Sequence, residues 1–211
     1  SPATVQTEAG IDYLPTRYEL DGSESTSPWS NFQVDGYGTW LRVLVDHCTR
    51  HGRSMDSYIE ALNLTVDYLT AVGSMPCYDW WEEFPKERHT STLAAVSSGL
   101  KAAVESRLVT DNRYGKTLAT IKEIDQLISR DARINGRLNK WLGTDAVDGS
   151  LLACLTLYDT VPSTGPIAKQ TAAAIRAALL REGDYRYIGD TFYGGGEWII
   201  LAAWLGWYEA I

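Results

Sequence analysis

The 211-residue chain carries 27 acidic and 19 basic residues for a net charge of −8, and 45% of it is hydrophobic. A chain this apolar buries a core and is not disordered, and its length suits one domain. Its scattered Lys and Arg lack the clustering that phosphate backbones require, and no apolar run reaches the ~18–20 residues of a bilayer span, so neither nucleic acid nor a membrane is an expected partner.

Residues 1–30 read as irregular, with a Ser/Thr-rich loop at 23–30. Leu41, Leu44, Val45 and Cys48 then mark the apolar stripe of a helix over roughly 35–50, which His51-Gly52 ends. Ser54 is placed to cap a second helix, roughly 55–72, with Ile59, Leu62, Val66 and Leu69 inward and Gly73 closing it. A third runs about 90–108 on Leu93, Val96, Leu100 and Val104, and a fourth about 116–142 on Ile121, Ile124 and Ile128. A shorter one, about 147–158, holds Leu151, Leu152 and Leu155. Thr164 and Pro166 open a sixth, and the last runs from near Glu197 to the end. No segment sustains the alternation of a strand, so the expected class is all-α without a sheet. The connections entering the helices at 35, 90, 147 and 197 carry Trp, Asp, Glu and Gly, whereas the others are plainer. This alternation predicts helical hairpins with one functional end, at the N-termini of every second helix, where free N–H groups favour polar ligands.

The aromatic content is skewed, with 8 Trp and 12 Tyr against 3 Phe. Such amphipathic rings suit wet clefts as well as helix packing. Three cysteines, an odd and sparse number, argue against a disulfide scaffold and for a reducing compartment, hence a cytoplasmic location. Cys48 and Cys154 fall on apolar stripes and read as core.

Three segments carry candidate chemistry. In Tyr78-Asp79-Trp80-Trp81-Glu82-Glu83-Phe84, two Trp stand beside an acidic pair in a loop entering a helix. Aromatic planes stack on sugar rings, and apolar rings beside a carboxyl disfavour its charged form, which suits a general acid. The plainer reading is a surface acidic pair near a packed Trp. In Trp29-Ser30-Asn31-Phe32-Gln33-Val34-Asp35-Gly36, an aromatic, two amides and an acid again precede a helix, and Asp35 serves equally as a cap. The third segment runs from Arg186 through Asp190 and three glycines to Glu197-Trp198; its spacing fits no phosphate loop.

Together these segments resemble glycoside hydrolase family 15, which includes glucoamylases, glucodextranases and isomaltose-hydrolysing enzymes. Asp79-x-Trp81-Glu82-Glu83 is similar to the family's acid-bearing motif, and the resemblance implies that Glu82 is the general acid with Glu83 in substrate contact. Trp29-x-Asn31-x-Gln33-x-Asp35-Gly36 resembles its subsite wall, and Arg186-Tyr187-x-x-Asp190 its later sugar-binding loop. Trp29, Asn31, Asp35, Trp81, Glu83, Arg186, Asp190 and Glu197 are thus the implied substrate-binding set. An Arg often replaces Asn31 in relatives, and a Pro often replaces Glu197. The match spans roughly residues 15–211. It implies an (α/α)6 toroid, an inverting exo-acting mechanism on small α-linked gluco-oligosaccharides, and neither cofactor nor metal.

The chain departs from the family in holding about seven of twelve helices. Residues 1–211 are therefore expected to be a partial catalytic domain, lacking helices that relatives carry on both sides. No segment matches the loop bearing the family's general base, and Glu197 is a substitute on position alone. The missing remainder of the polypeptide or a second copy is the expected protein partner. Without a base, the alternative is a non-catalytic sugar- or partner-binding module. Weaker signals have plain readings beside the functional ones: His47 and His51, four apart on a helix, offer two metal ligands without a third and read first as cations at a helix end; His89 follows the acid loop within reach of the site and reads first as a cap or surface residue; Asp145 and Asp148 are caps or edges of the site.

Overall fold

The computed structural model describes residues 5–6, 12–25, 32–181 and 185–211. Among them are seven α-helices: α1 (Asp35–Arg50), α2 (Ile59–Val72), α3 (Thr90–Glu105), α4 (Asp111–Asp131), α5 (Leu151–Leu155), α6 (Pro166–Leu179) and α7 (Ile199–Glu209). Each of the seven segments expected to be helical contains a helix. None of these helices is long and apolar enough to cross a membrane.

α1, α3, α5 and α7 pack in a row, each against the next. α2, α4 and α6 lie behind the row and bury one stripe each: Leu62, Val66 and Leu69 on α2, Ile121, Ile124 and Ile128 on α4, Ala168, Ala172 and Ile175 on α6. α3 is different, because every residue from Thr90 to Leu100 is buried. A helix apolar on one stripe only cannot tolerate this, and the small residues Ser91, Ala94, Ala95, Ser97, Ser98 and Gly99 make it possible. α1 crosses α3 at Gly38 and Gly99. A Cβ on Gly38 would stand 2.5 Å from the Ala95 carbonyl, and one on Gly99 would run into the Gly38 carbonyl. The two backbones therefore touch, which only glycine allows.

Two details overturn the expectation of a sheet-free chain. β1 (Val5–Gln6) pairs antiparallel with β2 (Asp12–Tyr13), and β3 (Arg133–Ile134) with β4 (Arg137–Leu138). The second ladder also corrects the fourth helix, expected over 116–142, which ends at Asp131 and starts earlier, at Asp111. Asn135 and Gly136 both take positive φ, 57° and 74°, as a two-residue hairpin turn of the mirror-image type requires. The fifth helix is confined to Leu151–Leu155 because Asp148 holds the Ser150 N–H at 2.8 Å in a turn before it. Ser54, expected to cap the second helix, does not: it accepts from the Asp56 N–H at 3.0 Å in a turn before a short 3-10 segment, and the cap positions of that segment and of α2 are Met55 and Tyr58.

The loops entering α1, α3, α5 and α7 meet at one end of the row. Tyr78 N–H donates to the Phe32 carbonyl at 2.9 Å, His89 pairs with Trp141, and Asp148 pairs with Tyr187. All three cysteines are free and buried, and burial pushes Cys77 and Cys154 up to about 12.

Candidate active site

Asp79 organises the acid-bearing loop. Its Oδ1 accepts the N–H groups of Trp81 (3.0 Å) and Glu83 (2.9 Å), while its own N–H donates to the Glu83 carbonyl at 3.1 Å. The tight turn forces Glu82 and Phe84 to φ of 62° and 50°, left-handed backbone that non-glycine residues rarely adopt. Such conformations persist only where surrounding contacts over-determine them. The result is that consecutive side chains point to different places. Trp80 turns into the helix packing against Tyr158 and Trp204. Trp81 faces Trp198, with ring centroids 5.7 Å apart.

Glu82 reaches into a cavity of about 600 Å³ that Arg17, Gln33, Tyr37 and Trp40 also line. Its side chain is 30% exposed, and its Oε1 lies 2.9 Å from Arg17 Nη2. Trp40, on the second turn of α1, is 37% exposed and lines this cavity.

Asp35 opens α1 but does not cap it; the cap position is Val34, without a side-chain hydrogen bond. The Asp35 carboxyl is buried, takes a hydrogen bond from the Gln33 side chain, and keeps Oδ1 unpartnered. Burial pushes it up to about 6, and the like charge of Glu82 adds to this. It borders a second, mainly apolar groove of about 750 Å³ between α1 and α7, with Trp80, Ile200 and Trp204.

Glu83 points the other way, to the third segment. Tyr187 hydroxyl donates to its Oε2 at 2.6 Å, and Arg186 Nη2 lies 3.7 Å from its Oε1. Arg186 is 2% exposed and donates through Nε (2.7 Å) and Nη2 to the two oxygens of Asp190. The guanidinium sits among the rings of Phe192, Trp198, Tyr187 and Trp81, 4.9 to 5.4 Å from their centroids. These bonds hold the Asp190 carboxyl below the usual carboxylate range, and the Phe192 N–H at 2.9 Å assists. Glu197 is exposed in the stretch before α7. Trp29 and Asn31 lie outside the described residues.

Behind the loop is a polar cluster centred on Lys140, which the sequence did not announce. Lys140 is 5% exposed, with Nζ 2.9 Å from Asp148 Oδ2 and 3.9 Å from Asp79 Oδ2. Asp148 also accepts Trp81 Nε1–H, at 3.0 and 3.2 Å to its two oxygens. His89, placed by sequence at a cap or the surface, occupies the cap position of α3 without a side-chain cap bond and is 1% exposed; its Nε2 meets the Phe84 carbonyl at 2.9 Å and burial lowers its pKa. Asp79 is pushed up to about 7, first by burial and then by Asp148. Asp148 had a signal, an acid in a helix-entry loop. Lys140 had none, since it follows a hairpin with no motif around it. Among the described residues no three His, Cys, Asp or Glu side chains group to hold a metal, and His47 and His51 simply stack at 4.7 Å.

The sequence profile of the glycosyl hydrolases family 15 matches residues 14–205. The chain is 43% identical over 196 residues to the isomaltose glucohydrolase of Kribbella flavida, covering 92% of this chain and 51% of that protein. It is 27% identical to an uncharacterized glycosyl hydrolase of Methanocaldococcus jannaschii, of which it covers 37%. Among solved structures, a glycosidase variant in complex with glucose superposes at a TM-score of 0.90 with 42% identity, over 98% of this chain and 56% of that one. The wild-type glycosidase superposes at 0.88. The chain thus spans about half the length of the isomaltose glucohydrolase and of the solved glycosidases that it matches. On the match of profile, sequence and fold together, the chain belongs to glycosyl hydrolase family 15.

Proposed function

We propose that this chain is the acid-bearing part of an exo-acting, inverting α-glucoside hydrolase, with Glu82 as general acid. The observation that carries the reading is the Glu82 carboxyl, turned by its own left-handed backbone into a cavity of about 600 Å³ between residues 16–18, the start of α1 and α2. In such a reaction the acid protonates the glycosidic oxygen as the C–O bond breaks. A second carboxylate, ~6.5–9.5 Å away, takes a proton from the water that attacks the opposite face. No carboxylate of the described residues is assigned that second role, and the base is proposed to lie in a further part of the protein. The chemistry calls on neither metal nor cofactor. Four inner and three outer helices of a six-hairpin toroid fit the observed row, so residues 1–211 are read as a partial catalytic domain.

The substrate reading, isomaltose and other small α-linked gluco-oligosaccharides, is supported by the isomaltose glucohydrolase relative and by the glucose-bound structural neighbour. Arg17 must give up Glu82 as substrate enters, so its ion pair describes the resting site. Asp35, Glu83 and the Arg186–Asp190 pair are proposed to shape the sugar-hydroxyl contacts, with Trp81 as wall. Trp29, Asn31 and Glu197 belong to the same proposed set. Free, buried cysteines are in keeping with a cytoplasmic setting.

Glu82→Gln in the intact protein tests the acid. Turnover of isomaltose should fall about 10²–10⁴-fold, the usual worth of a positioned general acid, while calorimetry still detects glucose binding. Near-normal turnover removes Glu82 from the role. A second reading, a non-catalytic sugar- or partner-binding module, is favoured by the exposed apolar residues on α1 and α7. It predicts glucose binding by the intact protein with no hydrolysis of any α-glucoside.

A further inference from the structure

We propose that Lys140 is a positioning residue for the acid-bearing loop, acting through Asp148 and Tyr187 on the two neighbours of Glu82. The inference rests on Glu82 being the acid. Lys140 cannot itself meet substrate: its side chain is 5% exposed, and its backbone is fixed on both sides, by Thr90 N–H at 3.0 Å and the Ala146 carbonyl at 2.9 Å. Its ammonium stands where three chain segments converge. Nζ pairs with Asp148 at 2.9 Å and lies 3.4 Å from the Tyr187 ring centroid and 4.5 Å from that of Phe84.

Each contact leads onward to the catalytic turn. Asp148 fixes the Trp81 indole through Nε1–H at 3.0 Å. Tyr187, whose ring the ammonium holds by its face, donates its hydroxyl to Glu83 at 2.6 Å. Trp81 and Glu83 are the residues on either side of Glu82, whose left-handed φ of 62° leaves its carboxyl direction dependent on them. The third contact, Asp79 at 3.9 Å, is to the carboxylate that organises the turn's N–H groups. One buried cation therefore ties the acid loop, the start of α5 and the sugar-binding loop together. The competing explanation is that Lys140 merely neutralises the buried Asp148, since removing one partner of such a pair leaves an uncompensated charge.

The two explanations separate in the intact protein, with kcat and KM for isomaltose and the thermal midpoint measured for K140M, D148N, the double variant and Y187F. Positioning predicts that K140M loses kcat about 100-fold, the effect of an ångström-scale misplacement, with KM within about threefold. The double variant, with neither charge buried, should regain the thermal midpoint but not kcat. Y187F, which keeps the ring over Nζ and removes only the Glu83 bond, should lose kcat about 10-fold without loss of midpoint. If K140M fails to fold, the double variant and Y187F carry the same decision. A double variant that recovers kcat along with its midpoint, or wild-type kcat in both K140M and Y187F, overturns the proposal. Unmodified protein and E82Q run alongside: an active unmodified protein with wild-type kcat in both K140M and Y187F sinks only the positioning role. Inactive unmodified protein sinks the hydrolase reading, and fully active E82Q sinks the assignment of Glu82; either takes this inference with it.

Discussion

Asp79 divides its labour between two oxygens. Oδ1 holds two backbone N–H groups of the acid turn, and Oδ2 is buried without a hydrogen-bond partner, 4.0 Å from an equally unpartnered His89 Nδ1. Burial is the larger influence and pushes the carboxyl up to about 7, against about 4 for a free aspartate. The folded protein therefore keeps a proton that the unfolded chain has already released. That contribution to stability is full below about pH 4 and is lost as pH climbs toward 7. Asp79→Asn retains the acceptor oxygen and never ionises. Its thermal midpoint should fall less than that of the unmodified protein between pH 4 and 7. Some slope will remain, because Asp35 is pushed to about 6 by the same cause. Parallel midpoint-versus-pH curves for the two proteins would show that Asp79 is not buried as a poorly solvated acid. The turn around it was visible in the sequence only as composition. The acidic pair and its Trp neighbours could be picked out, but the left-handed Glu82 that sends them in separate directions depends on hydrogen bonds to a side chain three residues earlier.

At the scale of elements, legibility followed the kind of signal. α1 matches its expected span because an apolar stripe, a glycine stop and an acidic entry loop agree there. α4 was misplaced at both ends, since Ile121, Ile124 and Ile128 report a helix's middle and not its limits. The stop was written nearby, in Asn135-Gly136, a dipeptide suited to two successive residues of positive φ. The burial of α3 on all sides was less accessible, because it follows from what its neighbours do. Gly38 and Gly99 record that neighbour contact. A methyl on Gly38 meets backbone, the Ala95 carbonyl at 2.5 Å, and not the end of a flexible side chain. Gly38→Ala must separate α1 from α3 and should lower stability by about 1–3 kcal/mol or more, as overpacking does. Gly36→Ala, two residues away with nothing within 4 Å of the added carbon, is the control. Denaturant unfolding that finds the two variants equally stable would refute the backbone contact.

For the molecule as a whole, the row of inner helices has two ends, α1 and α7, and both are apolar where they face solvent. Trp40 is 37% exposed, Val43 47%, Ile199 90%, Ile200 48% and Trp207 43%. Residues scattered singly would mean little, but Trp40, Val43 and Ile200 border one groove of about 750 Å³. The sequence held this information only negatively. α7 reads as apolar nearly all round, which is the pattern of an enclosed helix, yet only Leu201 and Leu205 are buried. A surface of that kind drives association whenever nothing covers it. The 211-residue chain produced on its own should therefore sediment as dimers or larger species that bind an apolar dye. Ile200→Glu with Val43→Glu should shift the population toward monomer, because each introduces a charge that association would have to desolvate. The same preparation should bind glucose weakly or not at all and release none from isomaltose, since the proposed base lies elsewhere. A dye-silent monomer would contradict the exposure of these helix faces. Glucose release by the isolated chain would place the base within these residues after all, with Glu197 the first candidate to substitute.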